Sequence, residues 1–162
     1  ARQYDQQKAR FDAGLSTSRQ VLLTQDDLEN ARFAELNARL ALRRAAAERY
    51  NDMFANTGVR TPVELPNRRH VYHIYAIRTT ERARWIEEPT RRGIQTGIHY
   101  PFPLHTLKAF DFLGYKQGQF PHAEKAAAET LSLPMFAELT AVQQEEVVSA
   151  VAALQHEALQ PA

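Results

Sequence analysis

Between Ser18 and Phe54 the chain contains neither proline nor glycine, and alanine, leucine, arginine, glutamate and glutamine dominate. Residues of that kind lose little side-chain freedom in a helix, so the stretch predicts one long helix ending at Asn56-Thr57-Gly58. Placed at about 100° per residue, its apolar positions form two stripes on nearly opposite sides. Leu28, Ala31, Ala38, Leu42 and Ala45 make one, and Phe33, Leu36, Leu40 and Ala47 the other. A helix lying on a single globule shows one stripe, so two stripes predict neighbours on both flanks, as in a packed array of helices. Upstream, Phe11-Asp12-Ala13-Gly14-Leu15-Ser16-Thr17-Ser18 predicts a turn, with Ser16, Thr17 or Ser18 supplying the N-cap oxygen.

After Gly58 the texture changes. Pro62 and Pro66 bracket a loop, and Val71 to Ile77 is β-branched and aromatic, which predicts a buried strand. Thr79 or Thr80 is placed to cap a helix running to about Arg91, with Pro89 truncating or kinking it. A second strand is expected over Ile94–Tyr100, short helices over Leu104–Phe112 and Pro121–Ala128, and a short strand at Leu131–Leu133. Thr140-Ala-Val-Gln143 resembles a capping box opening a helix to about Leu154. Strands alternating with helices indicate an α/β or α+β domain. At 162 residues, one globular unit with an appendage is the expectation.

Composition removes several chemistries. With no cysteine, disulfides, thiolate nucleophiles and cysteine-based zinc sites are excluded. A formal net charge of +1 argues for neither nucleic acid nor an anionic membrane as partner. No apolar run reaches the roughly 18 residues of a membrane span, and the start lacks an initiator Met and the apolar core of a signal peptide. The chain therefore reads as part of something longer.

The run Gly97-Ile98-His99-Tyr100-Pro101-Phe102-Pro103-Leu104-His105 is the strongest site candidate. Its prolines forbid helix and bias their neighbours towards extended geometry, holding His99 and Tyr100 on a stiff segment that suits them to face a ligand. The plainer alternative is a strand entering a rigid turn whose histidines find local partners. His99 and His105 can converge around that turn, but no third ligand is evident, and His70 and His73, three apart on a strand, would face opposite ways. No metal site is expected. Gly93 to Gly97 lacks the strand-to-helix context and the lysine of a phosphate-binding loop. Between Arg60 and Arg92, eight arginines stand against four glutamates, an excess suited to an anion such as a phosphate, or simply to a solvated face. Trp85 reads as core. No Ser/His/Asp order stands out, and Lys8, Lys108, Lys116 and Lys125 lie in polar or helical surroundings.

Over residues 37–151 the chain resembles the C-terminal part of the DegT/StrS family of pyridoxal-phosphate-dependent sugar aminotransferases. The resemblance rests on the arginine-rich helix Arg43 to Tyr50, RRHVYHIYAIR (68–78), RRGIQTGIHYPFPLH (91–105) and LGYKQGQFPHAEKAAAETLSLPMFAELT (113–140). It implies the small C-terminal domain of a fold-type-I pyridoxal phosphate transferase over residues 47–162, with His99, Tyr100 and His105 near the sugar-nucleotide substrate. It also implies a cytoplasmic enzyme using pyridoxal phosphate. The family's Schiff-base lysine belongs to a large domain that nothing in this sequence matches, so no catalytic residue is assigned. The expected partners are that large domain and, through exposed apolar faces, a second copy of the chain.

Residues 1–44 instead resemble the TolC-type outer-membrane efflux family, through Arg10-Phe11-Asp12-Ala13-Gly14-Leu15-Ser16-Thr17-Ser18 and Val21-Leu22-Leu23-Thr24-Gln25. That implies a helical segment over residues 1–46 resembling the end of an efflux-protein hairpin. Arg10, Gly14, Leu15 and Ser16 would then lie where an adaptor docks, in the cell envelope. The two patterns meet around Asn37 to Glu48, which reads as a chimera joined inside one helix. Two functions are thus expected as alternatives: the small-domain portion of a nucleotide-sugar aminotransferase, inactive alone, or a non-enzymatic helical module.

Overall fold

The computed structural model describes residues 2–158, so residue 1 of the efflux-like segment and residues 159–162 of the aminotransferase-like one lie outside the described residues. The chain divides into two compact units, residues 1–41 and 42–162.

The first unit is a helical turn. Helix α1 (Arg2–Asp12) ends where Gly14 takes φ +73°. The Gly14 N–H donates to Phe11 O (2.8 Å) and the Leu15 N–H to Arg10 O (2.6 Å), a Schellman closure that needs the left-handed conformation glycine adopts freely. Helix α2 (Ser18–Phe54) then opens on a capping box. The Gln20 N–H donates to Thr17 Oγ1 (3.3 Å) and the Thr17 N–H to Gln20 Oε1 (3.1 Å), so Thr17 is the N-cap. No residue of α1 is buried, and Leu22, Leu23, Phe33 and Leu36 on α2 are exposed. Within this unit the stripe residues Phe33 and Leu36 are exposed, while Leu28 and Leu40 are half-buried.

The second unit is built on a two-stranded antiparallel sheet. Strand β1 (Tyr75–Arg78) pairs with β2 (Thr130–Leu133) in the register Tyr75↔Leu133, Ala76↔Ser132, Ile77↔Leu131, Arg78↔Thr130. Single bridges widen it on both sides, Arg60↔Arg78 and Gly97↔Ser132. Because side chains alternate along a strand, Tyr75, Ile77, Leu131 and Leu133 share one face. That face packs against Tyr50 and Phe54 of α2, Trp85 of α3 (Arg82–Arg91), and Val147, Val151 and Leu154 of α5 (Ala141–Ala158). Ala76, Arg78, Thr130 and Ser132 share the other. Tyr50 Oη donates to Pro134 O (3.1 Å) and Tyr75 Oη to Asn51 Oδ1 (2.6 Å), and burial pushes both phenols up.

The helix ends follow their sequence signals. Helix α4 (Pro121–Glu129) starts with proline in its first turn, and Thr140 and Gln143 form the expected capping box before α5. Helix α3 stops two residues after Pro89, closed by Gly93 at φ +77°. Its N-cap is Glu81, not Thr79 or Thr80; the Thr79 hydroxyl instead accepts from the Glu81 N–H (3.1 Å).

Three expected elements are corrected. The strand expected from Val71 begins only at Tyr75, because Tyr72 sits at φ +47° and Arg43 Nη1 donates to His73 O (3.1 Å), breaking the extended run. His70 and His73 are therefore not strand neighbours. The strand expected over Ile94–Tyr100 contracts to the single bridge at Gly97. The helix expected over Leu104–Phe112 is instead two tighter 3-10 turns, Leu104–Thr106 and Lys108–Leu113.

Candidate functional site

The sheet face turned away from the core floors a groove of about 820 Å³. Ala76, Arg78 and Thr130 supply the floor, the run from His99 to Leu104 one wall, and Ala123, Ala126 and Ala127 of α4 the other. Alternation on β1 and β2 thus decides both the core and the site.

His99 is fixed by the sheet. The Gly97 N–H donates to Ser132 O (2.9 Å) and the Ser132 N–H to Gly97 O (2.7 Å), which registers the incoming segment against β2. His99 Nδ1 then lies 2.9 Å from Ser132 Oγ. A side chain at position 97 would bring its Cβ within 2.9 Å of His99 Cε1, so glycine gives the ring its place. With Nδ1 engaged, Nε2 has no protein partner among the described residues and is the nitrogen available to a ligand, as donor or acceptor according to the tautomer. The Tyr100 ring packs edge-on to His99 and is 73% exposed; the His99–Tyr100 peptide bond is cis.

His105 goes elsewhere. Its Nε2 lies 3.0 Å from Glu124 Oε1, its side chain is largely buried, and it is not among the residues lining the groove. The structure thus does not bring His99 and His105 to one ligand; each has its own carbon-bound oxygen partner. Glu124 also accepts from the Gly118 N–H (2.7 Å) and the Phe120 N–H (3.4 Å). Burial would push this carboxyl up, but those amides and His105 outweigh it and hold it below the ordinary carboxylate range. The cluster pins the loop that carries the groove wall to the start of α4.

Chemically the groove is apolar, with one guanidinium at Arg78, one imidazole and one phenol. Among the described residues, no lysine and no carboxylate line it. Pyridoxal phosphate needs an amine to condense with its aldehyde and an acid opposite its ring nitrogen, so the groove residues do not by themselves fit that cofactor. His99 and Tyr100, singled out in the sequence, line the groove; Arg78 and Thr130, not singled out there, line it too, and Ser132 contacts His99, the three sharing one parity on two short strands. The residues of the efflux-like turn lie in the other unit. There Gly14 closes the turn, Leu15 is exposed, Ser16 Oγ bonds Gln7 and Gln20, and Arg10 supplies the carbonyl that ends α1. No helix among the described residues is long and apolar enough to cross a membrane.

Residues 25–152 match the model of the DegT/DnrJ/EryC1/StrS aminotransferase family. The chain is 50% identical over 92 residues to a pleiotropic regulatory protein of Geobacillus stearothermophilus, covering 57% of this chain and 25% of that protein. It is 35% identical over 133 residues to the dTDP-3-amino-3,4,6-trideoxy-alpha-D-glucose transaminase of Micromonospora megalomicea subsp. nigra, covering 78% and 35%. The crystal structure of S. venezuelae DesV in complex with a ketimine intermediate superposes with a TM-score of 0.74 at 32% identity, over 78% of this chain and 34% of that one. The chain therefore spans between a quarter and about a third of the length of these relatives. The family match begins inside the segment read as efflux-like, and neither it nor these relatives support that resemblance or a chimera. The match over residues 25–152 covers more than half of the chain: the chain belongs to the DegT/DnrJ/EryC1/StrS aminotransferase family.

Proposed function

We propose that residues 42–158 act as the small domain of a pyridoxal-phosphate-dependent nucleotide-sugar aminotransferase. In this reading the groove is their contribution to the active-site cleft. The observation that carries it is the groove itself: a fixed imidazole and an exposed phenol above Ala76, Arg78 and Thr130, with no amine or acid among the described lining residues to hold the cofactor. His99 Nε2 and Tyr100 contact the sugar nucleotide, and Ser132 positions His99. His105 supports the wall through Glu124. A lysine-bearing domain opposite the groove supplies the cofactor and covers Phe102, Leu104 and Phe112, all exposed in this chain. Left uncovered, those faces are open to a second copy.

The test is a fusion in which this chain replaces the matching third of the Micromonospora transaminase. The chain alone, mixed with pyridoxal phosphate, is expected to give no lysine-bound absorbance band, whereas the fusion binds the cofactor and transfers the amino group. Loss of one hydrogen bond to the bound sugar predicts about a tenfold fall in kcat/KM for His99→Ala in the fusion. A fusion that is active and indifferent to His99 and Tyr100 sinks the proposal.

A further inference from the structure

Part of the arginine excess between residues 60 and 92 collects at one place, in a notch of about 360 Å³ whose lining includes Arg60, Arg78, Thr80, Trp85, Lys125 and Glu129. Arg60 and Arg78 face each other across an antiparallel bridge, with the Arg78 N–H donating to Arg60 O (3.2 Å). Residues directly opposed in such a pair project to the same side, where like charges repel. The protein answers that repulsion only in part. Glu129 stands 3.7 Å from Arg78 and 3.7 Å from Lys125, so one carboxylate serves two cations. The Arg60 guanidinium has no hydrogen bond or ion pair among the described residues. Glu81, also at the notch, pairs with Arg84 at 3.9 Å.

Two further donors are left open at the same place. Helix α3 begins here, and its N-cap Glu81 places a carboxylate at that end but makes no side-chain hydrogen bond to the helix amides, so those first amides are left without a side-chain acceptor. Trp85 is 1% exposed, lines the notch, and its indole N–H has no partner. Buried donors in folded proteins are nearly always satisfied, and an unpaired one points to a missing acceptor. Every unmet group here is a donor or a cation.

We propose that this notch binds a phosphate-type oxyanion, with the Arg60 fork as its principal donor and Lys125 and the start of α3 completing the cradle. An anion held between Arg60 and Arg78 turns a repulsive pair into a two-sided clamp, and guanidinium groups match its geometry with paired hydrogen bonds. The notch shares Arg78 with the His99 groove, whereas Arg60, Trp85 and Lys125 belong to the notch alone, and phosphate binding there can be read without any aminotransferase activity.

The chain contains a single tryptophan, so its indole N–H gives one peak in a nitrogen–proton correlation spectrum. Inorganic phosphate is titrated from about 0.1 to 20 mM into the full chain at constant ionic strength, with chloride replaced in step so that screening does not change. A saturable shift of the Trp85 indole peak and the amides of residues 82–84 is expected, weakened at least about fivefold in Arg60→Gln. Tighter saturation of the same peaks by a nucleoside diphosphate also supports the site and identifies a phosphoryl tail as its source. Should Arg60→Gln fail to fold, Lys125→Gln, on the exposed side of α4, is expected to weaken binding in the same assay. The absence of any shift with both probes, or unchanged affinity in the folded variant, overturns the proposal.

Discussion

Gln144 offers the sharpest check on how the second unit is held together. Its side chain is fully buried; Nε2 donates to Ala46 O at 2.8 Å and Oε1 accepts from Arg49 Nη1 at 3.1 Å, tying α5 to α2. Gln144→Leu keeps the volume and removes both bonds, each worth about 1 kcal/mol. Neither partner is orphaned, because Ala46 O remains inside a helix and Arg49 is exposed to water. Removing a buried amide returns about 1–3 kcal/mol, so the net change is expected within about 1 kcal/mol of the parent. Gln144→Glu has the opposite outcome despite its similar size. The ionised carboxylate keeps Arg49 but sets an oxygen without a proton against Ala46 O, at a cost of about 3 kcal/mol near neutral pH. The folded-state pKa of that glutamate is then raised above its unfolded value of about 4.3. The protonated acid donates to Ala46 O, so the variant approaches the parent below the unfolded pKa and falls away from it as pH rises through the folded one. Urea unfolding of parent and both variants, compared at each pH, reads this directly. A Gln144→Glu variant as stable as the parent at neutral pH, or a Gln144→Leu variant losing more than about 3 kcal/mol, refutes the hydrogen-bond account.

The groove wall makes two more predictions. Because the Glu124 carboxyl is held below its ordinary range in the folded state, its contribution is present above the unfolded carboxylate pKa and is lost as pH falls through the folded one. Protection of the Gly118 amide against exchange, relative to its intrinsic rate at each pH, is therefore expected to fall in acid before that of the sheet residues, and Glu124→Gln to remove this difference; a uniform loss of protection across both regions contradicts it. Gly97→Ala is expected to cost only about 1 kcal/mol, since the new methyl meets the end of the His99 side chain and not backbone. The ring moves off Ser132, and its carbon-bound proton resonances shift; unchanged His99 resonances would show that the glycine is not what places the imidazole.

What was legible in the sequence is what local chemistry decides. Gly14 and Thr17 close and reopen the first helical turn, Pro121 opens α4, Thr140 and Gln143 cap α5, and Trp85 goes to the core. What was not legible depends on partners far along the chain. The expected strand at Val71 fails because Tyr72 sits at φ +47° and Arg43 takes the His73 carbonyl (3.1 Å), and no window around Val71 contains that arginine. His105 reads as a ligand-facing histidine until Glu124, nineteen residues on, claims it. The two apolar stripes of α2 led to an expectation of neighbours on both flanks, but a stripe does not say what covers it.

The same distinction separates the two halves of the site. His99 and Tyr100 are visible in one local run because stiff proline geometry is written in adjacent residues. Their orientation is written across the sheet, in the parity that sends Ser132 to the groove side and its neighbours Leu131 and Leu133 to the core. A one-residue slip of β2 would exchange those faces, turning the hydroxyl that holds His99 into the core and placing leucine on the groove side. The buried aromatic face of β1, through Tyr75 and Ile77, therefore does more than stabilise the unit. By fixing the register it determines which nitrogen of His99 remains for a ligand, so core and site are two consequences of one strand pairing.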